Sequence, residues 1–259
     1  MQHNVKSLSG FTIGATDGEI GKVKDFYFDD QTWTIRYLVV KTGGWLSGRK
    51  VLLSPFALGQ TDWVNKVFSV NLNKQQVQDS PDIDTEKTVS RQHEIELYNH
   101  YAWPYYGAAG AGFYGGMGMS GMVDSRVPFE EAIAEQHLEN EGADPHLRST
   151  EEIRGYHIHA SDGKIGEVED FILNTQTWKI DYLIVATGNW FAGKKVILSP
   201  EWIKQVKWED STVYIDLPID AVKHSPEYDS DVPLQEAYRE KLHNYYGKSI
   251  KGHQNSIVR

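Results

Sequence analysis

Gly10-Phe11-Thr12-Ile13-Gly14-Ala15-Thr16-Asp17-Gly18-Glu19-Ile20-Gly21-Lys22-Val23-Lys24-Asp25-Phe26 is written a second time, 145 positions on, as Gly155-Tyr156-His157-Ile158-His159-Ala160-Ser161-Asp162-Gly163-Lys164-Ile165-Gly166-Glu167-Val168-Glu169-Asp170-Phe171. Both read G-x-x-I-x-A-x-D-G-x-I-G-x-V-x-D-F. The register then holds without an insertion through Q-T-W-x-I-x-Y-L-x-V-x-T-G-x-W-x-x-G-x-K-V-x-L-S-P, ending at Pro55 and Pro200. It reaches Trp63 over Trp208 and Ser80-Pro81 over Ser225-Pro226. The chain is a duplicated unit.

Inside one copy the pattern is that of short strands. Phe11 to Ala15 reads as a strand, Asp17-Gly18 as a tight hairpin turn, and Ile20 to Asp29 as the returning strand. After the turn at Asp29 to Thr32, Ile35, Tyr37 and Val39 fall on one face of Thr34 to Val40, and Leu38 and Val40 make the other face apolar. That strand is expected to be central and covered on both sides. A glycine-bounded loop, Thr42 to Gly48, precedes a strand from Lys50 to Ser54, and Val67 to Leu72 alternates as the last one. Five or six short antiparallel strands in each copy predict a small closed barrel, which would remove exposed edges.

The pattern Asp17-Gly18-x-Ile20-Gly21-x-Val23-x-Asp25, followed by Tyr37-Leu38-Val39-Val40 and then Val51-Leu52-Leu53-Ser54-Pro55, resembles the PRC-barrel family. That family is named for the cytoplasmic part of the photosynthetic reaction-centre H subunit. It includes the C-terminal domain of the ribosome maturation factor that binds a small-subunit protein. The resemblance implies a mainly β chain of two small antiparallel PRC-type barrels in tandem, and a role in assembly or protein interaction. It also implies two rival roles: an accessory subunit of a membrane-associated electron-transfer complex, and a ribosome or RNA-maturation accessory.

Four segments follow: a first barrel at 1–80, a helix and connector at 81–147, a second barrel at 148–225, and a C-terminal helix and tail at 226–259. Helices are predicted over Val89 to Tyr101, before Trp103-Pro104, and over Pro233 to Tyr246, with Gly247 as its cap. Tyr105 to Met122 is dense in glycine, with Phe, Tyr and Met. Leu97 to Val123 holds no Asp, Glu, Lys or Arg. Its length would suit a membrane helix, but the glycines, Pro104, Asn99 and His100 argue against insertion. The acidic run Phe129 to Glu141 reads as a solvated helix.

The chain of 259 residues has a formal charge of −10 and no cysteine. The charge is concentrated in residues 81–148, at −8, against +2 in residues 1–80 and −4 in residues 149–225. Such a balance argues against nonspecific affinity for nucleic acid or an anionic membrane. Without cysteine there is no disulfide, thiolate site or thiol nucleophile. Met1-Gln2-His3-Asn4 opens no apolar signal stretch, so the cytoplasm is the expected compartment.

No catalytic, cofactor or metal site is expected. Asp17-Gly18 and Asp162-Gly163 are turn residues whose carboxylates can accept backbone N–H groups. Asp25 and Asp170 interrupt an apolar strand, where a half-buried acid fixes a neighbouring loop. His157 and His159 share a strand face, but their counterparts Thr12 and Gly14 are not ligands, and no third ligand is near in sequence. The glycines at 10, 14, 18 and 21 lead into a strand, which leaves no helix N-terminus to cradle a phosphate.

The copies disagree in sign at four places: Lys22 becomes Glu167, Lys24 becomes Glu169, Arg36 becomes Asp181, and Glu19 becomes Lys164. Together with Trp45 and Trp190, each in a glycine-bounded loop, these positions are the expected contact surface for a protein partner, including a second copy of this chain.

Overall fold

The computed structural model describes residues 1–81, 96–97, 99–103, 146–188, 193–230, 232 and 234–257, with side chains of the last helix described to residue 247. Trp190, the glycine-rich stretch Tyr105 to Met122, the acidic run Phe129 to Glu141 and most of the helix expected from Val89 lie outside the described residues.

Each copy is built alike. The first has β1 (Gln2–Asn4), α1 (Val5–Leu8), β2 (Thr12–Ala15), β3 (Gly18–Asp29), β4 (Thr34–Thr42), β5 (Lys50–Leu53), β6 (Leu58–Asp62), β7 (Val67–Val70) and α2 (Lys74–Gln78). The second has β8 (Leu147–Ser149), α3 (Thr150–Ile153), β9 (His157–Ala160), β10 (Gly163–Asn174), β11 (Lys179–Ala186), β12 (Lys195–Leu198), β13 (Ile203–Lys207), β14 (Thr212–Ile215) and α4 (Ile219–Lys223). A final helix, α5, spans Glu236–Ile257.

The compact units cut across the repeats. Unit I consists of Met1–Gly10, Asp25–Ile35 and Arg148–Arg259, and unit II of Phe11–Lys24 and Arg36–Leu147. Unit I therefore takes its first strand, a four-residue helix and the tip of the β3–β4 hairpin, Asp25–Ile35, from the first copy.

In unit I the ladder runs β13-β14-β9-β10-β11, with β12 on the far side of β11. Strand β1 adds to the far half of β10, Gln2 opposite Asn174 and Asn4 opposite Ile172. This seats α1 on β10 with Val5 and Leu8 fully buried. A four-residue helix is far below the length that is stable alone, so its existence depends on this docking. Conversely β8 pairs with β3 of the first copy. Equivalent segments of the two copies have changed places.

At the centre of the exchange two tryptophans adopt a conformation that bulky residues avoid. Trp33 and Trp178 sit at φ 56° and 55°. Left-handed backbone costs an L-residue about 1–2 kcal/mol. Each closes a local turn, its N–H donating to the Asp29 or Asn174 carbonyl at 2.7 Å, and its own carbonyl meets the opposite copy: the Ile35 N–H donates to the Trp178 carbonyl and the Ile180 N–H to the Trp33 carbonyl, both at 2.7 Å. Trp33 also stacks on Phe28, ring centroids 5.2 Å apart, and Phe28 meets Phe171 at 6.3 Å.

Unit II carries the ladder β6-β7-β2-β3-β4-β5. Two expectations are corrected. One strand pair in each copy is parallel, β2 with β7 and β9 with β14, because the β6–β7 and β13–β14 hairpins return their second strand in the same sense as the first strand of the motif. Among the described residues the ladders also do not close into barrels; they end openly at β6 and β13. These edge strands are mostly solvent-facing and polar, Gln60 and Asp62 in one, Lys204, Gln205 and Lys207 in the other. Charge and polarity protect the edges where closure was expected to.

The hairpin glycines Gly18 and Gly163 take φ of 129° and 152°, out of reach of most side chains. Gly21 and Gly166 serve a different need. A Cβ on Gly21 would lie 2.1 Å from the Lys41 carbonyl oxygen, and on Gly166 2.2 Å from that of Ala186. The third glycine of the motif thus lets β3 and β10 press against the end of the neighbouring strand.

Helix α5 begins three residues later than the sequence suggests and continues ten beyond Gly247, which lies inside it rather than capping it. One interior glycine costs roughly 1 kcal/mol, and packing outweighs it. Leu242 and Tyr246 are fully buried, and the Tyr246 ring rests on Trp202 at 4.3 Å. The first copy repeats the arrangement. Leu97 and Tyr101 are buried, but Ala57 stands where the second copy has Trp202, and Tyr101 stacks instead on Trp103 at 4.2 Å. Tyr245 donates its hydroxyl to the Ala221 carbonyl at 2.8 Å, and His100 Nε2 lies 2.6 Å from the matching Gln76 carbonyl.

Candidate functional site

The shared carboxylates hold the fold's joints. Asp17 accepts the Lys74 N–H at 2.9 Å and Asp162 the Ile219 N–H at 2.7 Å, so each Asp-Gly turn satisfies an orphan donor in the first turn of the short helix that follows its copy.

Asp25 and Asp170 perform the same task across the exchange. Asp170 receives the Lys6 N–H at the start of α1, 3.2 Å to each oxygen, and its Oδ1 lies 3.6 Å from Arg154. Asp25 receives the Glu151 N–H at 3.2 Å, the Thr150 hydroxyl at 2.9 Å and the Ser149 hydroxyl at 2.5 Å, all at the start of α3. Burial raises the Asp170 pKa, opposed in part by the Phe171 N–H and by Arg154. A raised carboxyl pKa means this group favours the fold most at low pH, and that contribution falls away as pH rises through the folded-state value.

A cation closes each copy's short helix. Arg49 donates to the carbonyls of Gln78, Ser80 and Pro81, and Lys194 to those of Lys223 and Ser225. Burial lowers the Lys194 pKa. Among the described residues, no group of three or more His, Cys, Asp and Glu could hold a metal. His157 lies 3.3 Å from Glu167, and His159 packs on Tyr214 with centroids 5.3 Å apart.

The residues expected to meet a partner do not stay together. Arg36 is buried. Glu167 lies 3.9 Å from Lys164, Glu169 pairs with Lys195 at 2.7 Å, and Asp181 accepts from the Gln2 side-chain amide. The three acids are thus engaged inside unit I.

Trp45, Lys22 and Lys24 all belong to unit II, the two lysines on β3. Trp45 rides on a single helical turn, Gly44–Leu46, that links β4 to β5. Its Nε1–H donates to the Ile20 carbonyl at 2.8 Å, which also accepts the Gly43 N–H at 3.1 Å. The ring is held in place yet 36% exposed, with the Lys74 ammonium 5.7 Å from its centre. It is a pre-ordered aromatic surface, the kind that loses little entropy on contact.

Sequence reasoning missed Lys41 and Lys50, which the strand register brings here. Lys41 stands opposite Lys50 on β5. In the second copy Glu167 stands opposite Ala186, and the matched approach of Gly21 to Lys41 and Gly166 to Ala186 puts Lys22 beside Lys41 in the same register. Lys22, Lys41 and Lys50 therefore form a row over three adjacent strands, with Lys24 two residues along. The signal was present in sequence as Lys41 against Ala186, but it acquires meaning only once the strands are aligned.

Comparison with known proteins fits this architecture. The family model described as PRC-barrel domain matches residues 2–77 and 148–222. An uncharacterized protein of Deinococcus radiodurans is 33% identical over 92 residues, 35% of this chain and 31% of that protein's length. The chain thus spans less than a third of the relative it matches. Among the described residues no helix is long and apolar enough to cross a membrane.

Proposed function

Since the chain belongs to the PRC-barrel domain family through both of its copies, we propose that it is a non-enzymatic interaction module that docks a protein partner at the Trp45 corner of unit II. The observation that carries this reading is the Trp45 ring itself. A large aromatic residue is tethered through Nε1 to the Ile20 carbonyl, left partly in solvent, and set under the Lys74 ammonium. Buried aromatic anchors of this type commonly contribute 2 kcal/mol or more to an interface, on the order of a thirtyfold change in affinity.

Affinity capture from the native lysate, run in parallel with wild type and Trp45→Ala, tests it. A protein retained by the wild type and reduced at least tenfold with Trp45→Ala, while both variants unfold cooperatively, is the expected outcome. Capture profiles that do not differ between the two would contradict the assignment.

A further inference from the structure

We infer that Lys22 and Lys24 on β3, with Lys41 on the adjacent β4, are a binding site for a short acidic segment of a partner protein, an inference that rests on the Trp45 corner being the docking face. Strands stand roughly 4.8 Å apart, and like charges directly opposite each other in a sheet destabilise it. All three lysines are exposed, and among the described residues none forms an ion pair. The second copy is the internal control. The same backbone carries Glu167, Ala186 and Glu169 there, and Lys195 neutralises Glu169 directly. The fold does not require the lysines, so their clustering in one copy calls for a ligand.

The chemistry of the row selects the ligand class. Lysines on a flat strand face are compact point charges without the bidentate fork of arginine, suited to several carboxylates in an extended or helical peptide. A long polyanion such as nucleic acid or a lipid surface would also meet the remainder of a chain with net charge −10. A short acidic segment stays within a Debye length, about 8 Å at physiological salt, of the lysines alone. Trp45, four residues after Lys41 in the chain and tied to Ile20 of β3, offers an apolar ring for a residue beside the acids.

The test uses the full-length protein and a fluorescent Glu-rich dodecapeptide containing one Phe, followed by anisotropy at low and physiological salt. The wild type should bind, and Lys22→Gln/Lys24→Gln/Lys41→Gln should weaken binding at least tenfold with a shallower salt dependence. Glu167→Gln/Glu169→Gln should change it less than twofold. Because relief of like charge should leave the triple variant at least as heat-stable as the parent, a fall in Tm would overturn the reading of the row as a strained, ligand-seeking array. Equal peptide binding by parent and triple variant would overturn the site. So would tighter, lysine-dependent binding of a twelve-nucleotide single strand or of vesicles with one-third phosphatidylserine. A captured partner that depends on Trp45 but not on the lysines would overturn only the acidic chemistry. Lysine-dependent peptide binding without any Trp45-dependent partner would support the row and sink the wider functional reading.

Discussion

Cutting the backbone once between the copies, within residues 104–145, is expected to leave two pieces bound one to one. Unit I cannot be assembled from the second piece alone, because Met1–Gly10 and Asp25–Ile35 belong to it and come from the first. Val5 and Leu8 are fully buried there. Burying each such side chain contributes about 1.5–3 kcal/mol. To this are added the β1–β10 ladder and the reciprocal Trp33 and Trp178 hydrogen bonds. With a protease site engineered into the connector, light scattering after gel filtration should give the mass of the intact chain after complete cleavage. The second piece prepared alone should lose its near-ultraviolet aromatic dichroism and recover it when the first is added. Pieces that separate and each melt cooperatively would show that the copies fold independently.

Gly21→Ala and Gly166→Ala should each cost about 3 kcal/mol or more, at the upper end of what overpacking produces. The atom a methyl group would strike is a backbone carbonyl oxygen, so no side chain can rotate away and β3 or β10 must move bodily. Gly44→Ala supplies the contrast, since an added Cβ there meets nothing within 4 Å and needs no left-handed backbone. It should alter stability by no more than about 0.5 kcal/mol. Urea unfolding of the three variants measures this, and a Gly166→Ala midpoint equal to that of Gly44→Ala would rule out the close approach. In the first copy the same displacement would separate Lys22 from Lys41, so Gly21→Ala should also weaken acidic-peptide binding.

Local chemistry explains what could be read from the chain. The Asp-Gly turns, the strand alternation and the apolar run of β4 are set by neighbours in sequence, and they gave the repeat and its strands. The exchanged segments had no such signature. The donor that begins α1 is satisfied by a carboxylate 164 residues away, while Asn4, at the position where a local cap belongs, makes no side-chain cap. The cross-copy bond of Trp33 is equally silent: the local turn closed by its N–H on the Asp29 carbonyl sets its left-handed backbone, but nothing nearby in sequence shows which strand meets its own carbonyl. The proposed partner surface is written in the sequence as residue types, Trp45 with Lys22 and Lys24. It was not legible as a group, since pairing in a sheet decides which charges become neighbours. Arg36, Glu167, Glu169 and Asp181 show the reverse case: sign reversal alone marked them, and the fold engages or buries each one.

Because the chain has no cysteine, the exchange can be tested with introduced pairs. Gln2 and Asn174 are opposed across the β1–β10 ladder, at a separation a disulfide can bridge. Asp29 is the residue of the first copy that corresponds to Asn174. Mild oxidation of Gln2→Cys/Asn174→Cys should give a crosslink within a single chain, seen as a faster-migrating monomer under non-reducing conditions, and Gln2→Cys/Asp29→Cys should remain reduced. A crosslink in the second pair and none in the first would place β1 on its own copy and contradict the exchange on which unit I is built.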